Sequence, residues 1–477
     1  MVLYWMIAAR RTRANYALER AVAHARDLGK PLVVLEALRA DHPWAADRFH
    51  QFVLEGMHDN RAALHERPGI TYFAYVETGR GAGRGLLEAL AAHAAAVVSD
   101  DFPCFFLPRM VAAAAARLDV RLEAIDSNGL LPIRAFDRPF STAHAFRRAW
   151  QQVLCTHLAA RPEANPLARP LPARAWAVPD DISTRWPDLF TWMSGGRGLT
   201  DLPIDHTVKP TAGHGGARAA RERLSAFLAE DLTAYGAQRN DPDRDTSSRL
   251  SPYLHWGHLG SHELFDRLMA HQGWMGHLPA RASGTREGWW GVSAAAESFL
   301  DEFLTWRELG YNLTANRPDD YDRFETLPAW ARETLQQHAE DPRTPRYDLD
   351  TFERAGTHDP LWNAAQRQLA AEGRIHNYLR MLWGKKILHW SASPREALGI
   401  LIHLNNKYGL DGRNPNSYSG IGWVLGRYDR PWAPARPIFG VVRYMSSENT
   451  ARKLRVRQYL TRYGPLSGPQ AGYGTLF

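Results

Sequence analysis

Hydrophobic positions in the first 140 residues form short continuous runs that alternate with amphipathic stretches. Five runs rich in aliphatic and aromatic residues predict β-strands over Val2–Ile7, Pro31–Leu35, Thr71–Val76, Ala96–Ser99 and Val120–Ile125. Helical spacing of apolar residues between these runs predicts helices over Tyr16–Leu28, Leu86–Ala94 and Pro108–Leu118. Alternation of this kind is typical of parallel βαβ units with helices on both faces of one sheet.

The remainder of the chain follows another pattern. Prolines at positions 162, 166, 170, 172 and 179 predict a long extended connection. From about residue 215 onward, apolar residues recur at helical spacing and strand patterns are nearly absent. We therefore predict a Rossmann-like α/β domain over residues 1–140, a linker over 141–214, an all-α domain over 215–464 and a C-terminal tail over 465–477.

Composition narrows the class of protein. Hydrophobic residues make up 45% of the chain and charged residues 23%, with a net charge of +7, as expected for a globular protein with a large core. No apolar run reaches the roughly 18 residues that a membrane span requires. Two cysteines, Cys104 and Cys155, are too few for a disulfide framework or a cysteine-based zinc site. We expect a cytoplasmic protein with no membrane association and no metal site.

Polar residues at apolar positions of the predicted helices are the first candidates for chemistry. Phe299, Glu302 and Trp306 fall on one stripe at helical spacing, and a carboxyl on such a face needs a partner. Either a salt bridge or the polar edge of a ligand would satisfy it. A capping box, Ser393–Glu396, predicts a helix that runs to about Tyr408 and points Asn405 inward, toward backbone groups or a heteroaromatic ligand.

Tryptophans, hydroxyls and basic residues supply three further candidates. Trp362 follows a predicted helix start at Asp359, while Trp383 and Trp390 lie two turns apart on one face, about 10 Å in rise. They are either core residues or an electron relay. The hydroxyls of residues 246–251 suit a diphosphate or a helix N-cap. A basic stretch near the end suits a nucleic-acid backbone or a solvated face; it comprises Arg452, Lys453, Arg455, Arg457 and Arg462, with Arg436 and Arg443 upstream.

Longer segments resemble the photolyase/cryptochrome flavoproteins, and within them the class II cyclobutane pyrimidine dimer photolyases. The segments that carry the resemblance are THDPLWNAAQRQLAAEGRIHNYLRMLWGKKILHW (357–390), LNNKYGLDGRNPNSYSGIGW (404–423) and RPIFGVVRYMS (436–446). Supporting segments are SSRLSPYLHWG (247–257), ESFLDEFLTWREL (297–309) and LYWM (3–6). The resemblance implies an antenna-type α/β domain, a linker and an all-helical FAD domain that repairs UV-damaged DNA in light.

The resemblance also implies roles for individual residues. FAD-binding residues would be Tyr235, Ser247, Ser248, Arg249, Leu250, Ser251, Arg307, Asn377, Arg380, Asp411 and Gly412, with Arg380 and Asp411 paired beside the flavin ring. Catalytic residues would be Glu302 on the bases of the dimer, Asn405 on the flavin, Trp306 and Trp423 as cavity walls, and Met381 under the lesion. Trp362, Trp383 and Trp390 would relay electrons. Arg427, Arg443, Arg452 and Lys453 would bind DNA.

The chain departs from the class II pattern at three places. Asn377 stands where Gly is usual, Gly409 stands where Glu is usual, and residues 426–429 form a segment one residue shorter than usual. The antenna chromophore stays open between a deazaflavin, a folate and none, and a monomer is expected. The main alternative is a cryptochrome-like light receptor. Repair of (6-4) photoproducts is less favoured, because Asn377 and Met381 replace the two histidines of that subgroup. A nucleic-acid-binding protein without flavin is the third alternative.

Overall fold

The computed structural model describes residues 1–279 and 281–465, so the predicted tail lies outside the described residues apart from residue 465. The strands are β1 (Val2–Met6), β2 (Leu32–Leu38), β3 (Ile70–Val76), β4 (Ala96–Asp100) and β5 (Leu122–Ile125). The helices that precede residue 320 are α1 (Tyr16–Asp27), α2 (Asp47–Leu64), α3 (Leu86–Ala91), α4 (Leu107–Ala115), α5 (Ala143–His157), α6 (Asp180–Arg185), α7 (Leu189–Ser194), α8 (Gly216–Ala226), α9 (Leu232–Gln238), α10 (Ser251–His255), α11 (Ser261–His271), α12 (Ala294–Leu300) and α13 (Arg307–Asn316).

The later helices are α14 (Ala329–Gln337), α15 (Leu349–Glu353), α16 (Pro360–Glu372), α17 (Asn377–Trp390), α18 (Pro394–Tyr408), α19 (Pro415–Val424), α20 (Ser447–Lys453) and α21 (Arg457–Tyr463). Two π-helical segments, Phe227–Asp231 and Asp301–Trp306, join α8 to α9 and α12 to α13. Short 3₁₀ turns occur at Leu199–Asp201 and Phe324–Thr326. Among the described residues, no helix combines the length and the apolar character needed to cross a membrane.

The chain packs into two compact units. The first unit consists of Met1–Gly236, Ser248–Tyr321 and Leu410–Gly420. Among the described residues, the second unit consists of Ala237–Ser247, Asp322–Gly409 and residues 421–465. Regular elements of the second unit are helices throughout its described residues, as the sequence predicts for this part of the chain.

The first unit contains a five-stranded parallel sheet in the order β3-β2-β1-β4-β5. Val2 in β1 pairs with Leu32 on one side and Ala96 on the other. Every residue of β1 and β4 is buried, which is typical of parallel strands covered on both faces. All five predicted strands are confirmed, and with them the α/β fold class.

Side chains of β1 alternate between two separate cores, because successive residues of a strand point to opposite faces. Val2, Tyr4 and Met6 pack with apolar residues of α1. Leu3 and Trp5 pack on the opposite face with Leu90 of α3 and other residues that include Ala114 of α4. Both faces of the sheet are therefore covered by helices.

Asp100, at the end of β4, fixes the chain that leaves β1. Its Oδ2 atom accepts hydrogen bonds from the backbone N–H groups of Ile7, Ala8 and Ala9 at 2.8, 2.7 and 2.9 Å, and Oδ1 accepts from the Tyr4 hydroxyl at 2.8 Å. Chain connections leave β1 and β4 in opposite directions, so this is the switch point where α/β sheets commonly bind ligands.

The predicted linker contains more regular structure than its prolines indicate. Helices α5, α6 and α7 lie within residues 141–214, and residues 158–179, between α5 and α6, lack helix or strand. Helix α5 buries Phe146, Trp150 and Leu154, which recur at a spacing of four residues. The nearby Glu308 carboxylate accepts from Trp150 Nε1 at 2.6 Å and from the Leu130 N–H at 2.7 Å. Burial raises the pKa of Glu308 to about 7.

Candidate functional site

The predicted site residues are divided between the two units. The first unit contains Tyr235, Ser248, Arg249, Leu250, Ser251, Glu302, Trp306, Arg307, Asp411 and Gly412. The second unit contains Ser247, Trp362, Asn377, Arg380, Met381, Trp383, Trp390, Asn405, Trp423, Arg427, Arg443, Arg452 and Lys453.

Glu302 and Trp306 lie in the π-helical segment Asp301–Trp306 of the first unit, and both side chains are half-buried. Arg147 of α5 holds the start of this segment by donating from Nε to Asp301 Oδ1 at 2.8 Å. The wider i→i+5 turn changes the phase of Trp306 relative to Phe299, so the predicted regular stripe ends at this segment. Single π turns within helices occur frequently at functional sites.

Residues 248–251, the part of the predicted diphosphate-binding segment that belongs to the first unit, contain a left-handed backbone turn. Arg249 adopts a left-handed conformation with φ of 55°, and α10 begins two residues later. Arg223 of α8 donates from Nε to the Ser248 carbonyl at 2.9 Å, and buried Leu250 anchors the turn. In the second unit, Ser247 donates to Asp245 at 2.5 Å. The Thr246 hydroxyl is buried there without a hydrogen-bond partner.

The remaining flavin candidates of the first unit occupy three positions. Tyr235 is buried and meets the rings of Phe227 and Phe299 edge-on, at centroid distances of 5.7 and 5.5 Å. The Asp411 carbonyl, next to Gly412, accepts from the Ser417 hydroxyl at 3.2 Å. Arg307 is buried, and it lines a small cavity whose wall also contains residues 8, 9, 127 and 128. Arg307 therefore faces the same cavity as loops of the α/β domain.

The three candidate relay tryptophans are brought together inside the second unit. Trp362 Nε1 donates to the Trp383 carbonyl at 3.0 Å, and the ring centroids of Trp362 and Trp390 lie 5.9 Å apart. Trp383 Nε1 donates to Gln366 Oε1 at 3.0 Å. None of the three tryptophans exceeds 3% exposure. Sequence spacing alone pairs Trp383 with Trp390, whereas the structure puts Trp362 in contact with both.

Asp359 sets the position of Trp362 at the start of α16. Its Oδ1 atom accepts from the N–H groups of Leu361 and Trp362, both at 3.0 Å, as an N-cap. Its Oδ2 atom accepts from the Ser447 hydroxyl and lies 3.7 Å from Lys386 Nζ. The predicted helix start is therefore confirmed. The capping side chain of Asp359 is also fixed in place through its second oxygen, Oδ2.

Asn377, Arg380 and Met381 lie in the first two turns of α17. Asn377 is exposed, and the other two are half-buried. Asn405 is half-buried on α18 and donates to the fully buried amide of Asn406 at 3.2 Å. The sequence analysis did not identify Asn406. Only the packing of α18 determines which of the two successive asparagines is fully buried.

Trp423 lies beside Arg443, which the sequence analysis named, and beside Lys385, which it did not. Arg443 lies over the Trp423 ring at 5.6 Å and over the Trp432 ring at 4.1 Å. Asp429 accepts from Arg443 Nε at 2.8 Å and from Trp432 Nε1 at 3.1 Å. Lys385 also lies over this indole, with its Nζ atom 5.1 Å from the Trp423 ring centroid. We call Trp423, Asp429, Trp432 and Arg443 the tryptophan–arginine cluster.

The other candidate DNA contacts differ in exposure. Arg452 and Lys453 are exposed in the last turn of α20, where their charges face solvent. Arg427 is buried, and its guanidinium donates to the Thr326 hydroxyl at 2.5 Å. Phosphate contact by these residues stays a prediction.

A cavity of about 620 Å³ lies in the first unit at the carboxyl ends of the strands. Trp5, Leu38 and Tyr75 of three neighbouring strands line it, and Phe102 and Phe106 follow β4 in its wall. The glycine-rich loop 79–85 contributes three glycines to the same wall. No local sequence pattern indicates this cavity, because residues far apart in the chain form it.

Buried nitrogen atoms give this cavity polar character. Burial lowers the pKa of His42 to about 4 and that of His50 to about 3, so both rings are neutral at pH 7. The Nε2 atoms of His50 and His255 are buried without a hydrogen-bond partner. Arg413 stacks on Phe49 at 3.6 Å, and burial lowers its pKa to about 9, which leaves it positive. An apolar, aromatic cavity with a few polar groups of this kind is typical of small-molecule sites.

Comparison with known proteins gives consistent results. The family model described as DNA photolyase matches residues 2–169. A deoxyribodipyrimidine photo-lyase of Methanothermobacter thermautotrophicus is 35% identical, over 97% of this chain and 94% of that protein. A deoxyribodipyrimidine photo-lyase of Oryza sativa subsp. japonica is 32% identical, over 98% of this chain and 88% of that protein.

The fold agrees with these matches. A bacterial class III photolyase from Agrobacterium tumefaciens superposes with a TM-score of 0.66, over 97% of this chain and 86% of that chain, at 18% identity. This level of identity supports the fold alone. Sequence identity over nearly the full length of the relatives carries the assignment, and the chain therefore belongs to the DNA photolyase family, whose members are flavin-dependent lyases of DNA repair.

Proposed function

We propose that this protein is a class II photolyase that binds FAD and splits cyclobutane pyrimidine dimers in UV-damaged DNA with light energy. The observation that carries the proposal is the 35% identity, over 97% of the chain, to a deoxyribodipyrimidine photo-lyase. The class II motifs between residues 357 and 446 support the subgroup. A monomeric, cytoplasmic enzyme is part of the proposal, and gel filtration and cell fractionation test it.

The donor groups of the described residues fit FAD. A diphosphate needs hydroxyl and N–H donors, and the segment 246–251 offers both, including the unpartnered Thr246 hydroxyl and the left-handed turn at Arg249. Tyr235 and residues 247–251 would hold the phosphates and ribose. Asn405, Arg380 and Asp411 would hold the flavin ring, and Arg307, Asn377 and Gly412 would complete the site. When bound, FAD supplies the light-absorbing group and the electron.

The residues of this chain would bind and orient the dimer. A dimer stacks poorly in the duplex, so its extrusion costs less than that of normal bases. Trp306 and Trp423 would pack against the extruded bases, with Met381 beneath them. An electron that enters the dimer leaves negative charge on the base carbonyls, and a hydrogen bond donated from the Glu302 carboxyl would stabilise that charge. Splitting of the ring then releases the electron.

The three tryptophans would reduce oxidised FAD in light. Electrons would pass through Trp383, Trp362 and Trp390, whose contacts inside the second unit support such a path. The indole N–H groups of Trp383 and Trp362 donate to an amide and a carbonyl oxygen. These neutral oxygens are too weakly basic to take an indole proton, so the protons stay in place while electrons move.

We also propose that the cavity of the first unit takes an antenna chromophore. Its volume of about 620 Å³ and its aromatic wall suit a planar ring system such as a deazaflavin or a folate. Ala37 lines the cavity, so Ala37→Trp should fill part of it. The purified wild type should release a second chromophore that the variant lacks, and its absorption spectrum identifies the class. Equal spectra from both proteins would contradict this site.

The deciding experiment is repair of an oligonucleotide with one dimer under blue light, with the same mixture kept dark. We expect dimer loss in light only, by a protein that is yellow when purified. A yellow protein that photoreduces FAD without repairing dimers would be the cryptochrome-like receptor instead. A colourless protein that binds DNA would contradict both.

A further inference from the structure

Lys385 is a fully buried lysine in the second unit, at the middle of α17. Its exposure is 0%, and its Nζ atom donates to the Val424 carbonyl at 2.5 Å. The same atom lies 5.1 Å from the ring centroid of Trp423. A buried ammonium is costly, and lysines are almost never fully buried without a partner. The burial of Lys385 therefore has an energetic cost that a structural or functional role has to offset.

The backbone around Lys385 brings α17 against the end of α19. A Cβ atom added to Gly384 would lie 2.5 Å from a methyl group of Val424, so only glycine allows this approach. Val424 is the last residue of α19, and its carbonyl is one of the orphan acceptors of a helix end. Lys385 thus closes the end of the helix that carries Trp423 and places a cation beside the indole.

Charged groups of the tryptophan–arginine cluster act on this lysine. Burial lowers the pKa of Lys385 to about 7; Asp429 opposes that shift, and Arg443 adds to it. Arg443 is 5.6 Å from the same indole and is paired with Asp429. Protonation of Lys385 therefore changes near neutral pH, and it changes the charge next to Trp423.

We propose that Lys385 is a positioning residue for the recognition of damaged DNA, since its ammonium group holds the Trp423 indole against the lesion. The attraction between a desolvated cation and an indole face supplies the force, and the bond to Val424 supplies the direction. The proposal rests on the proposed role of Trp423 in the lesion cavity. It adds that the protonated and neutral forms of Lys385 bind the dimer with different affinity.

The test measures the Kd for dimer-containing and undamaged duplexes between pH 6 and pH 9, with FAD-loaded enzyme. Wild type should lose about tenfold in affinity for the dimer as pH rises through 7, the size expected for a desolvated cation–π contact. Affinity for undamaged DNA should change less than twofold over the same range. Lys385→Met should bind the dimer about tenfold more weakly at pH 6 and show no pH step, and Lys385→Arg should retain tight binding at pH 9.

Two further variants keep the test decisive. Lys386→Met removes the neighbouring buried lysine, which pairs with Asp359, and should leave dimer affinity unchanged. Trp423→Leu should abolish the change in dimer affinity with pH although Lys385 is still present. This variant keeps the proposal testable if the Lys385 variants do not fold. A wild type that repairs dimers with a flat pH profile would overturn the inference alone. A wild type that neither binds nor repairs dimers would instead overturn the proposed function.

Discussion

The indole N–H of Trp362 donates to the backbone carbonyl of Trp383 at 3.0 Å, across two helices that meet inside the second unit. The bond ties the first turn of α16 to the middle of α17. It leaves the Trp362 ring facing Trp390 at 5.9 Å. The three tryptophans are buried, so few water dipoles have to reorganise when an electron moves between them, which favours fast electron movement.

Trp383→Phe should block photoreduction of oxidised FAD, because phenylalanine is much harder to oxidise than tryptophan. Repair by enzyme that was chemically reduced beforehand should be unchanged. Absorption spectroscopy under blue light checks the first expectation and dimer repair the second. Trp186→Phe, which changes a buried tryptophan of the α/β core, is the matched control and should photoreduce normally. Photoreduction that survives in Trp383→Phe would place the relay elsewhere.

Asp359→Ala should lower the free energy of unfolding by about 1–2 kcal/mol, since the helix loses a cap that serves two N–H groups. The loss should be at the upper end of that range, because Ser447 and Lys386 also lose their partner. Chemical denaturation checks the stability. Asp348→Ala removes the cap of the short helix α15 and is the control, with an expected smaller loss. Equal losses would mean that the second oxygen of Asp359 contributes nothing.

Glu302→Ala should reduce the repair yield per absorbed photon by about tenfold or more, as expected when a group that stabilises developing charge is removed. FAD content after purification should be unchanged. Glu297→Ala, five residues earlier in α12, alters a carboxylate that accepts hydrogen bonds from backbone N–H groups and serves as the control for helix integrity. An unchanged yield in Glu302→Ala would remove this residue from the site.

Arg452→Ala and Lys453→Ala should weaken binding of damaged and undamaged DNA alike. Each should reduce the slope of log Kd against log salt by about 1, because each phosphate contact releases counterions. Titrations at several salt concentrations measure the slope. Arg20→Ala, an exposed arginine of α1 that pairs with Glu123, should leave the slope unchanged. A wild-type slope in both α20 variants would exclude this helix from the DNA surface.

Stability should depend on pH through Glu308. Burial raises the pKa of this carboxyl to about 7, so the folded state binds a proton more tightly than the unfolded state. Both states bind the proton below pH 4.5, and neither binds it above pH 7. Between these limits only the folded state binds it, so the free energy of unfolding falls as pH rises through this range. Relative to Glu308→Gln, the wild type should lose about 1.4 kcal/mol for each pH unit between these limits. Parallel curves of unfolding free energy against pH would contradict the shift.

The sheet was predictable because its strands are buried on both faces and so appear as continuous apolar runs. Helix starts at Asp359 and Ser393 were predictable because proline and a capping side chain stand next to each other in the sequence. Helix α2 was not predicted. Its N-cap residue, Ala46, has no capping side chain, and its buried face includes polar residues such as Arg48 and His50, which obscure the apolar stripe.

The candidate site was predictable only in part. The tryptophans of α16 and α17 stand out by residue type, but their contacts depend on how two helices cross. The sequence did not indicate that Lys385, Asp429 and Trp432 lie near the site. Nothing local in a sequence shows whether a lysine or an aspartate will be buried in the folded protein. The residues that line the cavity are scattered along the chain from Trp5 to Arg413. A local sequence pattern cannot predict contacts between residues that are so far apart in the chain.

The π-helical segment at Glu302 has a consequence for protein engineering. Its wider turn contains one more residue than a regular helix would need. Deleting one residue between Leu300 and Trp306 should give an ordinary helix with better internal bonding, and the regular turns on both sides should keep their phase. Such a shortened protein would gain helix regularity but would redirect the Glu302 and Trp306 side chains inside the segment, which makes that extra residue a poor choice for any stabilising redesign.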